Sequence, residues 1–255
     1  MTEELVRERR ASILVARLNR PDARNALTPR LLTDIGAALV QAESDPEIRV
    51  LVLIGTGDRA FCAGMDLRSF SDGERMDSDE AMAGYRRLIQ GQTALPVIGA
   101  ANGTAIGGGL ELLLGCDVVV ASTQARFGFP EVKRGLFPAG GGTFVGTRIP
   151  LGVALEMVLT GDLIDAARAY QIGLVNTVVA PEEVLATALA VAERISENAP
   201  LGLAAAKELV RLGVSDAAQA TARMAEWQST VFTSDDAKEG ATAFVEKRRP
   251  AWTGR

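Results

Sequence analysis

Val97-Ile98-Gly99-Ala100-Ala101, then Gly107-Gly108-Gly109-Leu110-Glu111-Leu112-Leu113-Leu114-Gly115, then Val118-Val119-Val120-Ala121: this stretch reads as a buried strand, a glycine turn into a short helix over 109–115, and a second buried strand. A continuous apolar run of four or five residues suits a strand covered on both faces. Strands that alternate with helices at this spacing argue for an α/β layer with parallel pairing. The glutamate is the exception within it. A carboxylate that follows three glycines and precedes three leucines sits at a strand-to-helix turn, partly buried, where its pKa can be tuned.

The same cycle extends to both sides. Ser12 to Leu18 alternates apolar and polar residues as a half-buried strand, and Asn19-Arg20-Pro21-Asp22 breaks it. Thr28 then suits an N-cap with Pro29 at the first helical position, and Leu31, Leu32, Ile35, Leu39 and Val40 form an apolar face up to Ser44-Asp45-Pro46. Val50 to Ile54 is another doubly covered strand, closed by Gly55-Thr56-Gly57. After a loop through Phe61 to Phe70 and a polar stretch near Asp72 to Asp79, a helix is expected from about Asp79 to Leu95, where Pro96 ends it. From Pro150 onward the pattern is almost entirely helical apart from a strand-like Val175 to Val179. Breaks near Gly213-Val214-Ser215-Asp216 and Thr233-Ser234-Asp235 divide Pro200 to Arg249 into three or four helices. No internal repeat is legible.

Composition removes whole classes of answer. The 255 residues include no histidine, so Ser-His-Asp and Cys-His machinery and imidazole metal sites are excluded, and acid/base work falls to carboxylates, Lys, Tyr or water. Cys62 and Cys116 are too few for a zinc motif or a disulfide framework and read as reduced, packed thiols of a cytosolic protein. A hydrophobic share of 47% is ample for a core. A net charge of -5 with both signs interspersed gives no broad basic face, so neither nucleic acid nor an anionic membrane is expected as a partner. The cluster Arg7-Glu8-Arg9-Arg10 reads as a solvated face or tail, whereas Lys247-Arg248-Arg249 has the chemistry to reach a phosphate-bearing ligand. No apolar run approaches the ~18 residues of a membrane span, and Met1-Thr2-Glu3-Glu4 begins no signal segment. A soluble, cytoplasmic protein is expected.

Twenty positions after Glu111 stands Glu131, in Phe127-Gly128-Phe129-Pro130-Glu131. Two carboxylates near two glycine-rich strand ends, Phe61-Cys62-Ala63-Gly64-Met65-Asp66-Leu67 and Gly107-Gly108-Gly109, outline a site for proton transfer. Bare backbone N–H groups can approach a ligand at both loops, and the helix starting near Gly109 adds its positive dipole end: an oxyanion hole in outline. Read singly, each feature also fits a bland role: tight-turn chemistry for the glycines, a capping or salt-bridged helix carboxylate for Glu111, an exposed loop residue for Glu131. No phosphate motif is present, since none of Lys133, Lys207, Lys238 and Lys247 follows a glycine as a P-loop requires.

Several separated motifs in order make the sequence similar to the enoyl-CoA hydratase/isomerase family, the crotonase superfamily. They are Asn19-Arg20-Pro21-Asp22-Ala23-Arg24-Asn25-Ala26-Leu27, the Phe61 to Leu67 loop, Asn102 to Glu111, Phe127 to Glu131 with Gly135-Leu136-Phe137-Pro138, and Asp236-Ala237-Lys238-Glu239-Gly240 through Arg248. The resemblance implies a crotonase-like spiral of ββα units over 1–195 with the acyl-CoA site, and a helical carboxy-terminal trimerisation region over 196–255, giving a homotrimer or homohexamer. It implies Met65 and Gly108 N–H as the oxyanion hole and Glu111 and Glu131 as the catalytic pair. It implies CoA and acyl contacts from Ala23, Arg24, Ala26, Ala63, Gly64, Asp66, Leu67, Gly107, Pro130, Phe137 and Ala139, with Phe244 and Lys247 reaching the CoA of a neighbouring subunit.

The expected reaction is hydration of a trans-2-enoyl-CoA, with no metal and no cofactor beyond the coenzyme A of the substrate. Family isomerases generally work with one carboxylate, and dehalogenases use an aspartate nucleophile. Carnitinyl-CoA dehydratases and hydratase-lyases keep similar glutamates and stay open as alternatives, as do an isomerase and a non-catalytic acyl-CoA or RNA-binding relative. Ala139 departs from the Gly of many hydratases. Phe70, Met76, Met82, Tyr85, Leu88, Phe137 and Trp227 are candidates either for an acyl tunnel or for core.

Overall fold

The computed structural model describes residues 3–66 and 79–255; expectations on Leu67, Phe70 and Met76 lie outside them. A first sheet has the order β1-β2-β3-β5-β7-β10, built from β1 (Leu5–Arg10), β2 (Ile13–Leu18), β3 (Val50–Gly55), β5 (Val97–Ala101), β7 (Val118–Ser122) and β10 (Thr177–Val179). From β2 onward every neighbouring pair is parallel. The arginine cluster near the start forms β1, an antiparallel edge strand in which only Leu5 is buried. The cluster is solvated, as expected, but it is a strand.

Alternate residues of the long strands feed two cores. Leu14, Leu51, Leu53, Val97 and Val119 face α1 (Pro29–Ser44), α2 (Asp79–Ile89) and α3 (Gly108–Gly115). Ile13, Val15, Val50, Val52, Ile98 and Val120 face a helix of Val184–Ser196, through Val184, Ala188 and Ala192. This explains the unbroken apolar runs: a parallel strand covered on both faces has no polar side. Thr28 caps α1 as expected, its Oγ1 accepting from Leu31 N–H at 3.0 Å.

Each long strand is followed within a few residues by a short one: β4 (Ala60–Cys62) after β3, β6 (Thr104–Ile106) after β5, β8 (Arg126–Gly128) after β7. These join β9 (Ile164–Asp165) in a second sheet, order β4-β6-β8-β9. A repeat is therefore present in the geometry where none is legible in the sequence. Two buried asparagines brace the corners between sheets. Asn25 donates to Thr56 O at 3.0 Å and Ala60 O at 2.9 Å, and Asn102 accepts from Gly55 N–H at 3.0 Å.

One element is shorter than expected. The helix begun at Asp79 stops at Ile89 rather than Leu95, because Gly91 takes the left-handed region at φ 67° and turns the chain before Pro96 can act. Beyond the two sheets, α4 (Leu151–Thr160) and α5 (Ala166–Gln171) lead to Val184–Ser196, taken as α6. Then come α7 (Pro200–Ser215), α8 (Ala217–Phe232) and α9 (Asp235–Glu246), divided where the sequence breaks at Asp216 and Ser234, both of which are N-caps. Among the described residues no helix is long and apolar enough to cross a membrane.

Candidate active site

The glycine loops meet. Leu27 forms a parallel bridge with Met65, its N–H donating to Gly64 O at 2.8 Å and its carbonyl accepting from Asp66 N–H at 2.9 Å. Both of Leu27's bonds go to the residues flanking Met65, so the Met65 N–H projects away from that strand. Gly108 opens α3, and the first N–H of a helix has no carbonyl a turn earlier to receive it. A methyl built on Gly64 would lie 3.3 Å from Gly108 N, and one built on Gly108 would lie 3.7 Å from Gly64 Cα. The bare backbones of Gly64, Gly107 and Gly108 thus form one patch.

The two glutamates stand on either side of it. Glu111, in the first turn of α3, is 6% exposed, and its Oε1 accepts from Gly142 N–H at 2.9 Å. Burial raises its pKa above the ordinary 4.5, opposed by the Gly142 and Gly140 N–H groups. Glu131 lies on a 3-10 turn, Pro130–Arg134. Its Oε1 is close over the floor: a methyl on Gly107, itself at φ 54°, would be 2.8 Å away. Its Oε2 is buried and has no hydrogen-bond partner among the described residues. Burial again raises the pKa, the Glu111 carboxylate adds to it, and its own N–H and Arg134 oppose it. Glu111 accepts from the first N–H of the 3-10 turn Gly142–Thr147, a capping contact, and Glu131 is half-buried rather than an exposed loop residue.

The first motif works as a brace. Arg20 donates to Ala26 O at 2.6 Å and to Asp66 Oδ2 at 3.0 Å, and pairs with Glu4 at 3.2 Å. Asp66 thereby anchors the loop that carries Gly64 and Met65. Ala63 N–H donates to Arg24 O at 3.0 Å, and Arg24 and Ala63 share a cleft of about 250 Å³ with Arg59, Ala60, Thr104 and Ile106. Ala23 and Ala26 flank this region and are half-buried. Arg59 was missed from sequence; the signal for it was a lone cation one residue before a buried strand. Gly140 and Gly142 were missed too, since only the fold brings residues about 30 positions away to Glu111.

Other candidates fall elsewhere. Phe137 is 65% exposed, and Ala139 is exposed beside the buried Pro138. Met82, Tyr85 and Leu88 are core, and the Tyr85 phenol, its pKa raised by burial first and then by Glu111 and Cys62, backs the site. Cys62 is buried with its thiol pushed up to about 12, as a packed thiol should be. Trp227 is on α8, where its indole donates to Glu208 at 3.0 Å. A single chain does not bring Phe244 or Lys247 to the carboxylates: both are exposed on or just after α9. Arg248 is occupied by Glu239 and Glu246.

Residues 8–255 match the sequence profile of the enoyl-CoA hydratase/isomerase family. The chain belongs to that family. Similar sequences include carnitinyl-CoA dehydratases of Proteus mirabilis, 36% identical over 262 aligned positions, and Escherichia coli K12, 37%, each covering all of both chains. Among solved structures, an enoyl-CoA hydratase of Mycobacterium tuberculosis H37Rv superposes with a TM-score of 0.92 at 40% identity over 99% of both chains. A carnitinyl-CoA hydratase of Mycobacterium avium gives 0.78 at 42% over all of both. The family and the crotonase-like fold expected from the motifs are thus borne out.

Proposed function

We propose that the chain is an enoyl-CoA hydratase, adding water reversibly across the double bond of a trans-2-enoyl-CoA. The observation that carries this reading is the placement of two pKa-raised carboxylates, buried Glu111 and half-buried Glu131, beside one bare-backbone floor. Attack on Cβ drives negative charge onto the thioester oxygen, and two preorganised N–H donors, Met65 and Gly108, stabilise it by several kcal/mol in a dry site. Glu111 holds water and takes its proton as oxygen bonds to Cβ; Glu131 delivers a proton to Cα. Two neighbouring carboxyls resist ionising together, so one proton is shared between them and the pair titrates as a unit. Hydration transfers no electrons, and the reading calls for no cofactor beyond the coenzyme A of the substrate.

The cleft at Arg24, Arg59 and Ala63 supports CoA binding on that side of the floor. Exposed leucines at one face of α4, Leu151, Leu155 and Leu159, with Val210, Val214 and Phe232 on α7 and α8, support a homotrimer or homohexamer. The place of action would be the cytoplasm. The full-length likeness to carnitinyl-CoA dehydratases supports a second reading, the same apparatus removing water from a 3-hydroxyacyl-CoA that carries a quaternary ammonium.

Loss of the conjugated enoyl absorbance of crotonyl-CoA tests the first reading. Glu111→Gln and Glu131→Gln should each cut turnover by at least ~100-fold, in line with general acid/base contributions. Turnover indifferent to both substitutions would sink the mechanism, and a kcat/KM for carnitinyl-CoA well above that for the hydration product of crotonyl-CoA would favour the second reading.

A further inference from the structure

We infer that Arg211, together with Arg148, is a positioning residue for the reaction, holding the carboxy-terminal end of α3 while the other end presents Gly108 N–H and Glu111. The inference rests on the hydratase reading only for its effect on rate. A helix leaves its last four carbonyls without partners. Here two guanidiniums collect that end of the chain from different parts of the sequence. Arg148 Nη1 donates to Leu113 O at 3.4 Å, Leu114 O at 3.3 Å and Cys116 O at 2.9 Å. Arg211 Nη2, from α7, donates to Gly115 O at 3.0 Å, Cys116 O at 3.2 Å and Asp117 Oδ1 at 2.9 Å. The carboxy-terminal helices are therefore fastened to the helix that carries the site.

Charge makes this more than a fastening. Arg148, Arg211 and Lys207 surround a single carboxylate, Asp117, which Lys207 meets at 2.8 Å. Cys116, the remaining titratable group there, has its thiol pushed up to about 12 and stays neutral. Facing Glu111 at the other end are Glu131 and Tyr85. Cations at the negative end of a helix reinforce its dipole and leave the opposite end more favourable to an anion. The eight residues of α3 span about 12 Å. A unit charge acting across that length on the Gly108 end, with an effective dielectric constant of about 20, is worth about tenfold in rate or equilibrium, or about 1.4 kcal/mol, and Glu111, the fourth residue of α3, lies nearer to it.

The test uses three substitutions in the full-length protein. Arg211→Gln keeps donors but removes charge, Arg211→Lys keeps charge, and Asp117→Asn removes the opposing charge. Arg211→Gln should lower kcat for crotonyl-CoA about tenfold with KM within about twofold, Arg211→Lys should stay within about threefold of the parent, and Asp117→Asn should leave kcat at or above the parent's. Independently of turnover, isotope-edited infrared titration of the Glu111 carboxyl, assigned by its loss in Glu111→Gln, should shift up in Arg211→Gln and down in Asp117→Asn. Opposite shifts are the signature of charge, which a merely structural role would not produce. Shifts in the same direction, or a Glu111 titration identical to the parent in every variant, would overturn the inference. If Arg211→Gln does not fold, Arg211→Lys and Asp117→Asn still decide by sign. An inactive parent would count against hydration, while the titration would go on deciding the role of Arg211.

Discussion

At Glu111 the carboxylate is hemmed in by backbone, and there is no room for a side chain at Gly140 beside it. A methyl on Gly140 would lie 2.4 Å from Oε2 and 3.0 Å from Cδ, so Gly140→Ala must displace the carboxylate, and on the hydratase reading turnover should suffer. Misplacement by an ångström costs about 100-fold in well-oriented reactions, and a kcat loss of that order with a nearly unchanged melting temperature is expected from steady-state kinetics beside calorimetry. The pKa of Glu111 also makes a stability prediction. A carboxyl whose folded pKa is raised stabilises the fold below the unfolded value of 4.5, and that contribution is lost as pH rises through the folded pKa. Glu111→Gln should therefore be more resistant to denaturant than the parent at pH 7.5, with the gap closing toward pH 4.5; a gap that widens in acid would contradict the assignment. That Glu111 is unusual was legible from three glycines before it and three leucines after. Its partners were not legible, because Gly140 and Gly142 reach it only through the tertiary fold.

Elements announced by long apolar runs and caps were readable almost to the residue. The helix from Pro29 and the strands at Val50, Val97 and Val118 stand where expected because capping and two-faced burial act locally. The three-residue strands β4, β6 and β8 were invisible: three residues cannot display a period, and their pairing is set by neighbours about 20 to 40 positions away. They matter because Cys62 and Ile106 end just where the floor begins, so the short sheet sets the height of the Gly64–Met65 loop against α3. A test at this scale is Thr28→Ala. Its hydroxyl caps α1 and also donates to Glu4, one residue after the Leu27 bridge. A loss of about 1–2 kcal/mol is expected from chemical denaturation, with a smaller effect on kcat than Gly140→Ala, since the bridge itself uses only backbone.

At the scale of the molecule, the two glutamates and the glycine floor are built by one chain, while Phe244, 84% exposed, and Lys247 stand exposed on or just after α9. If a neighbouring copy uses Lys247 on CoA, Lys247→Ala should raise KM for acyl-CoA about fivefold, the worth of a solvent-exposed charge contact, with kcat unchanged. The effect should vanish in preparations that sedimentation velocity finds monomeric. Glu131 rides on a single five-residue 3-10 turn that starts at a proline and closes at Gly135, at φ 72° with open space around it. That turn belongs to neither sheet. On the hydratase reading, the second carboxylate is consequently an exchangeable cassette: rewriting or resizing it would leave the floor of Gly64, Gly107 and Gly108 intact, and one scaffold could pass from adding water to shifting a double bond without relearning how to hold its substrate.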